Sequence, residues 1–406
     1  MGSHYIRRLG LVLLLLASLG SPTTQSATSR LVAIGDIHGA GERFRTLLQQ
    51  AGLLGEQEHW SGGVDTLVQT GDFLDRGRDV RAVMDLLINL EREAAAAGGR
   101  VEVLLGNHET MNLMADVRDA TPEIFASFAS AESVQRQQAA YEDYAAFVEM
   151  RGAALGRPLP DRQTREDWLE AHPVGFVEYM EAIGPNGRYG QWLRSKPVAA
   201  VIDDTLFLHG GLSLENTTPS VEEMVAAARD ELERFDTHRS HLVERGVILE
   251  TSTFPEILTA VALELNAWIV RLFPGPPAPG APPPSVTADD REHLDVLFEL
   301  QALDEWSVIN PHGPVWSRYF ARWSDEEGTA ATTILLDRLG VSRAVVGHSV
   351  TPTRRITGRF ENRVFLIDTG MLVEAYQGRA SALELSDEGT TAIYSDGRVS
   401  LPLAQP

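Results

Sequence analysis

Gly71-Asp72-Phe73-Leu74-Asp75-Arg76-Gly77 follows directly on an apolar run, Val64 to Gln69, that reads as a buried strand. Three charged residues fall within five positions, and glycines bound them on both sides. In an open α/β sheet, ligands bind at the carboxyl ends of strands. Two carboxylates and a guanidinium are costly to bury there without partners. A solvated charged turn is the plain alternative, so the flanking sequence has to decide.

Upstream, Leu31 to Ile34 is a short β-like run ending in Gly35-Asp36-Ile37-His38-Gly39. Gly41 to Gln50 then reads as a helix, with Phe44, Leu47 and Leu48 on one face. Downstream, Val80 to Ala97 carries Val83, Leu86, Leu87 and Leu90 at helical spacing. Val101 to Leu105 is a third strand, ending in Gly106-Asn107-His108-Glu109. A βαβαβ order of this kind implies right-handed crossovers and a largely parallel sheet, hence an α/β fold. Each strand hands over to a loop carrying Asp, His or Asn, which places those side chains along one edge of the sheet.

The rest of the chain divides by character. Residues 111–195 read as a helical insertion lying over that edge; Phe125, Phe128, Tyr141, Tyr144 and Phe147 recur at helical spacing and are expected as core. Val198–Val201 and Leu206–Leu208 form a hairpin across Asp203-Asp204, and the second strand ends in His209-Gly210-Gly211. Residues 213–310 are a second helical insertion, with a proline-rich loop at 274–284. Ala344–Val346 is a strand ending in Gly347-His348-Ser349, and strands at 364–367, 382–385 and 391–394 close the domain, the last ones antiparallel.

Composition narrows the partners. The formal net charge of −22 disfavours a nucleic-acid or anionic-membrane surface. No cysteine is present, so disulfides, thiolate metal sites and a cysteine nucleophile are excluded. Any metal must be held by oxygen and imidazole ligands, which suits manganese, iron, zinc or magnesium. Arg7 and Arg8 precede an apolar run, Leu9 to Leu19, and then small residues. That is the layout of a secretory leader over 1–27, too short for a membrane span, and it implies a secreted or periplasmic domain over 28–406 with no stable membrane insertion.

The loop residues Asp36, His38, Asp72, Asn107, His209 and His348 all follow β-like segments and all offer oxygen or nitrogen. Two ions sharing a bridging carboxylate need about this many ligands: Asp36, His38 and Asp72 for one, and Asp72, Asn107, His209 and His348 for the other. Ions so paired, with a hydroxide between them, suit hydrolysis.

In order, Gly-Asp-x-His-Gly, Gly-Asp-x-x-Asp-Arg-Gly, Gly-Asn-His-Glu, His-Gly-Gly and Gly-His-Ser resemble the motifs of the phosphoprotein phosphatases among the calcineurin-like metallophosphoesterases. The bacterial-type, Shewanella-like branch is the most similar. The resemblance covers residues 31–110, 198–213 and 310–372. It implies a central β-sandwich flanked by helices, two divalent metal ions (manganese first, iron or zinc next) and a phosphoester substrate, phosphoprotein included. The six loop residues match the family's metal ligands. His108 matches the general acid and Asp75 the carboxylate that orients it. Arg76 matches a phosphate-binding arginine, Asn107 faces the same phosphate, and Arg318 in Trp316-Ser317-Arg318 is the candidate second arginine. His312 and Glu109 are expected to orient loops.

One departure stands out. The Ser-Ala-Pro-Asn-Tyr segment of the eukaryotic Ser/Thr enzymes is absent; Asp368-Thr369-Gly370-Met371 follows the equivalent strand, with no tyrosine to meet the substrate. The resemblance to Shewanella-like relatives, which favour phosphotyrosine, adds that ester to the phosphoprotein substrates in view and speaks against a strict Ser/Thr preference. Two other readings are a symmetrical dinucleoside tetraphosphate hydrolase and a metal-binding module without turnover.

Overall fold

The computed structural model describes residues 29–159, 162–215, 220–272 and 286–402. The leader at 1–27 and the proline-rich loop at 274–284 lie outside the described residues. Among the described residues no helix is long and apolar enough to cross a membrane.

Eleven strands are described: β1 (Leu31–Ile34), β2 (Thr66–Gln69), β3 (Arg100–Val103), β4 (Ala199–Ile202), β5 (Thr205–Leu208), β6 (Arg343–Val346), β7 (Thr357–Arg359), β8 (Val364–Leu366), β9 (Ser381–Ser386), β10 (Gly389–Tyr394) and β11 (Gly397–Leu401). They form two mixed sheets. The first has the order β11-β10-β9-β1-β2-β3, and the second β4-β5-β6-β8-β7. β1, β2 and β3 run parallel, joined through helices α1 (Gly41–Gln50) and α2 (Val80–Ala97). β9, β10 and β11 pair antiparallel beside β1. In the second sheet β5, β6 and β8 are parallel, while β4 and β7 are antiparallel edges.

Side-chain alternation decides which way each strand faces. In β1, Leu31 and Ala33 point to the other sheet, while Val32 and Ile34 point to the helices. Val68, Phe207, Val345, Phe365 and Leu383 meet Leu31 and Ala33 in the space between the sheets. Val32, Ile34 and Leu67 pack instead on Phe44, Leu47 and Leu87. The β-sandwich flanked by helices is thus present, with both faces of the parallel strands covered.

Several elements differ from their sequence-based limits. β2 begins at Thr66 rather than Val64, because Asp65 N–H turns back onto the Gly62 carbonyl (3.0 Å) and Val64 stays exposed. The helical run from Val221 is two helices, Val221–Glu244 and Phe254–Leu272, separated at Gly246, whose φ is 62°. Helix Asp325–Leu339 and strand β11 are additions to the expected elements. Between 107 and 195 the chain forms α3 (Asn107–Leu113) and then five further helices, the fourth of which is Phe176–Ile183. Phe125 and Phe128 are buried edge-on to Tyr179, as core aromatics should be, whereas Tyr141, Tyr144 and Phe147 are only half-buried, against the expectation that all five form core.

Candidate metal centre and active site

β1 delivers Asp36 and His38, β2 delivers Asp72, β3 leads to Asn107, β5 to His209, and β6 to His348. Both sheets therefore feed one cluster. His38, Asp72, Asp75, Arg76 and His348 all have positive φ (46°, 57°, 65°, 66° and 65°). Such residues persist only where the surroundings over-determine them. Here Ile37 and His38 N–H donate to the Asp72 carbonyl at 2.9 and 3.0 Å, and Gly77 N–H donates to the His38 carbonyl at 3.0 Å. The Glu109 carboxylate accepts N–H groups from Asp72 (2.7 Å), Phe73 (3.0 Å), Leu74 (3.0 Å) and Gly106 (2.7 Å). Glu109 thus shapes the Asp72 loop. Gly71 (φ 93°) is needed there, since a Cβ would lie 2.4 Å from Gly106 N.

The hydrogen bonds behind the histidines fix which nitrogens face inward. His38 Nδ1 donates to the Leu74 carbonyl (3.0 Å), His209 Nδ1 to the Thr70 carbonyl (2.9 Å), and His348 Nε2 to the Trp316 carbonyl (3.0 Å). That leaves His38 Nε2, His209 Nε2 and His348 Nδ1 as lone pairs. His38 Nε2 faces Asp36 Oδ2 at 3.9 Å and Asp72 Oδ2 at 3.6 Å. His209 Nε2 faces Asp72 Oδ2 at 3.2 Å, Asn107 Oδ1 at 3.1 Å and His348 Nδ1 at 3.1 Å. In the first group Arg76 Nη1 supplies a donor to His38 Nε2 at 2.7 Å; in the second, acceptors facing acceptors repel unless a cation or proton lies among them. Asp72 Oδ2 belongs to both groups, and all six residues are buried. Asp72 stands in both groups of side chains close enough to hold an ion, and their oxygen and imidazole donors suit hard or borderline divalent metals.

Protonation agrees with this. Burial lowers His38 to about 3. Burial, helped by the positive charge of His209 and Arg318, lowers His348 to about 2. Both stay neutral ligands. Burial opposes the ionised Asp72, but His209 and His108 hold it well below the usual carboxylate range. Burial also opposes a charged His209, yet Asp72 outweighs it and raises the value; a metal ion takes the place of that proton. Asp368, which carries no site role in the motif pattern, is buried and hydrogen-bonded to Asp36. Burial raises both carboxyls, Asp368 to about 6.

His108 sits at the rim of this centre. Its Nδ1 donates to Asp75 Oδ2 at 2.7 Å, and its Nε2 lies 3.8 Å from Asp72 Oδ2 and 3.7 Å from Asp119 Oδ2. Burial works against its charge, but Asp72 and Asp75 raise it to about 9. His38, Asp72 and His108 lie close enough to hold one ion. The Asp75 bond holds the ring with Nε2 facing the centre, where it can give a proton or meet an ion.

The arginines differ in position. Arg76 Nη1 donates to His38 Nε2 (2.7 Å) and to the Tyr376 hydroxyl, while Nη2 reaches Asp119 Oδ2 (3.4 Å). Arg318 Nη1 donates to the His348 carbonyl (2.7 Å) and Ser349 Oγ (3.1 Å), behind the second ligand group. The expectation that no tyrosine meets the site needs correction. Tyr376, on a four-residue helix after Gly370, places its ring 5.7 Å from that of His38 and 5.5 Å from Arg76 Cζ. Gly370 (φ 75°) makes the turn that folds it back; a Cβ there would lie 2.7 Å from Tyr376 Cβ. Spacing gives no hint of this. Arg354, another arginine near the Gly347-His348 turn, is tied to the Tyr376 and Thr351 carbonyls. His312 bonds Tyr319 Oη at 2.9 Å, away from the centre.

Stability of the chelated protein follows from these shifts. His108 binds a proton more tightly folded (about 9) than unfolded (about 6.5), so its contribution is complete below about 6.5 and is lost as pH rises through 9. The raised Asp36 and Asp368 act in the same sense at lower pH. The melting temperature of the metal-stripped protein is expected to fall from about pH 6 to 9, with a shallower fall above about pH 7 in His108→Gln. Equal slopes for the two proteins, measured by scanning calorimetry in chelator, would remove His108 as the cause.

The sequence profile of the calcineurin-like phosphoesterases matches residues 29–247, more than half of the chain. The chain belongs to this family of metal-dependent phosphoesterases. It is 32% identical over 207 residues to Shewanella-like protein phosphatase 2 of Arabidopsis thaliana, covering 48% of this chain and 49% of that protein, so the match spans about half of the relative's length. Shewanella-like protein phosphatase 1 of Plasmodium berghei is 22% identical, over 90% of this chain and 74% of that one. The crystal structure of a cold-active protein-tyrosine phosphatase from a psychrophilic Shewanella superposes with a TM-score of 0.51 at 23% identity, covering 92% of this chain and 81% of that one. At that identity the likeness is one of fold.

Proposed function

We propose that this chain is a dinuclear-metal phosphomonoesterase acting on phosphoprotein-type esters, phosphotyrosine foremost. One observation carries the reading: a centre lined by converging acceptors lies beside a His108–Asp75 pair and a guanidinium, Arg76. Two divalent ions, manganese by preference, supply an activated water and positive charge for the phosphoryl oxygens when bound. Asp36, His38, Asp72, Asn107, His209 and His348 hold them. Arg76 presents a planar fork to the phosphate, and Arg318, bonded to the His348 carbonyl, is the second phosphate arginine. His108 protonates the departing oxygen, and Asp75 holds its ring for that transfer.

A metal-binding module without turnover has no use for an oriented imidazolium. The dinucleoside tetraphosphate reading meets a charge problem. Asp119 Oδ2 lies 3.7 Å from His108 Nε2, the atom assigned here to meet the leaving oxygen, and 3.4 Å from Arg76 Nη2. A carboxylate there repels an anionic nucleotide and accepts a neutral phenol or a basic peptide. The Shewanella protein that shares this fold is a protein-tyrosine phosphatase, which supports the same ester class. The leader sequence at 1–27 supports a site of action outside the cytoplasm.

The manganese-loaded protein is expected to hydrolyse p-nitrophenyl phosphate and a phosphotyrosyl peptide, and diadenosine tetraphosphate at least about tenfold more slowly. Preference for the dinucleotide would overturn the ester assignment. Metal binding with no hydrolysis of any of the three would overturn the enzyme.

A further inference from the structure

Asp75 is fully buried, and its two oxygens are unequally served. Oδ2 accepts from His108 Nδ1 at 2.7 Å and from Asn112 Nδ2 at 2.9 Å. Oδ1 has no hydrogen-bond partner among the described residues. A carboxylate held by one bond alone can turn about its Cβ–Cγ axis and carry the imidazole with it. The second N–H on the same oxygen removes that freedom.

Asn112 is itself held at every polar point. Its Nδ2 also donates to the His108 carbonyl at 2.8 Å, one turn back on α3. Its Oδ1 accepts the Tyr179 hydroxyl at 2.6 Å. The hydroxyl proton fixes which way the amide faces. With Oδ1 engaged by an O–H donor, the NH2 group must face Asp75, where a flipped amide would set oxygen against oxygen. Burial, with Asp75 and Glu109 nearby, raises Tyr179 well above its ordinary value, so it keeps the proton it donates. Its ring is clamped edge-on by Phe125 and Phe128, at 5.3 and 5.0 Å between centroids.

Tyr179 belongs to helix Phe176–Ile183, outside every motif that marks the site. We propose that Tyr179 and Asn112 are positioning residues for proton donation: a hydroxyl from the helical insertion fixes the Asn112 amide, which pins Asp75 and thereby aims His108 at the leaving oxygen. The proposal rests on the reading of His108 as general acid. It gives the helices at 107–195 a part in the chemistry beyond covering the sheet edge.

Proton donation matters more as the leaving group becomes more basic, and that separates aim from scaffold. In the manganese-loaded full chain, Tyr179→Phe is expected to lower kcat on phenyl phosphate about tenfold, while kcat on p-nitrophenyl phosphate and both KM values change less than about twofold. In a His108→Ala background the same substitution is expected to add no further loss on phenyl phosphate, because the residue acts through His108. Asn112→Ala repeats the test if Tyr179→Phe does not fold. Equal losses on the two substrates, or a further loss without His108, would overturn the proposal and mark Tyr179 as structural. If His108→Ala discriminates between the substrates and Tyr179→Phe does not, this proposal alone fails. If His108→Ala does not discriminate either, the acid assignment fails first.

Discussion

Asp72→Asn is expected to lower kcat by about 1,000-fold or more and to leave the purified protein with fewer than two bound ions. Losing even a single charge-stabilising group at a reaction centre costs about 100- to 1,000-fold. Asp72 stands to lose more, since one of its oxygens faces ligand lone pairs on both sides: His38 Nε2 at 3.6 Å and His209 Nε2 at 3.2 Å. An amide keeps the shape and one acceptor oxygen but removes the negative charge. It also removes the group that holds His209 and His108 at raised values. Element analysis of wild type and variant, beside initial rates on p-nitrophenyl phosphate, measures both effects. Full metal content with a loss below about tenfold would show that Asp72 is not shared by two ions.

His108→Ala should be nearly as damaging, but selectively. General acids contribute roughly 100- to 10,000-fold, most where the leaving oxygen is basic. The loss is expected to reach about 1,000-fold on phenyl phosphate or a phosphoserine peptide and to shrink to about tenfold on p-nitrophenyl phosphate. The phenolate of the latter departs without a proton. His108 is not among the six residues assigned to the ions, so metal content should be unchanged. A uniform loss on all esters, or loss of metal, would place His108 among the ligands, a position its distance from Asp72 allows.

Much of the centre is legible in the sequence because its residues lie in short loops directly after apolar runs. Strands β1, β5 and β6 carry buried residues almost without interruption, and each ends at a ligand. What escapes such a reading depends on chain folding over longer distances. Tyr376 reaches Arg76 across 300 residues, and Tyr179 reaches Asn112 across 67. Neither pair leaves a periodic or spacing signal. Helix Asp325–Leu339 does leave one: Ser324 and Glu327 form a capping box, and Gly340 ends the helix at φ 67°. That signal is easily passed over because the buried positions are partly Gly328, Ala331 and Thr332, which give a weak apolar stripe.

The two sheets meet through an apolar layer, and the ligand loops come from both of them. Asp36 and the His348 backbone are already bonded across 312 residues, and His209 faces Asn107 across 102. Ions seated among these residues would act as a fastener between the amino- and carboxyl-terminal halves of the chain. In a protein without cysteine, coordination here closes loops that no disulfide can close. Metal occupancy would then bear on how long the folded domain survives as well as on turnover. Loss of the ions would release the kind of long-range tie that other domains entrust to disulfides.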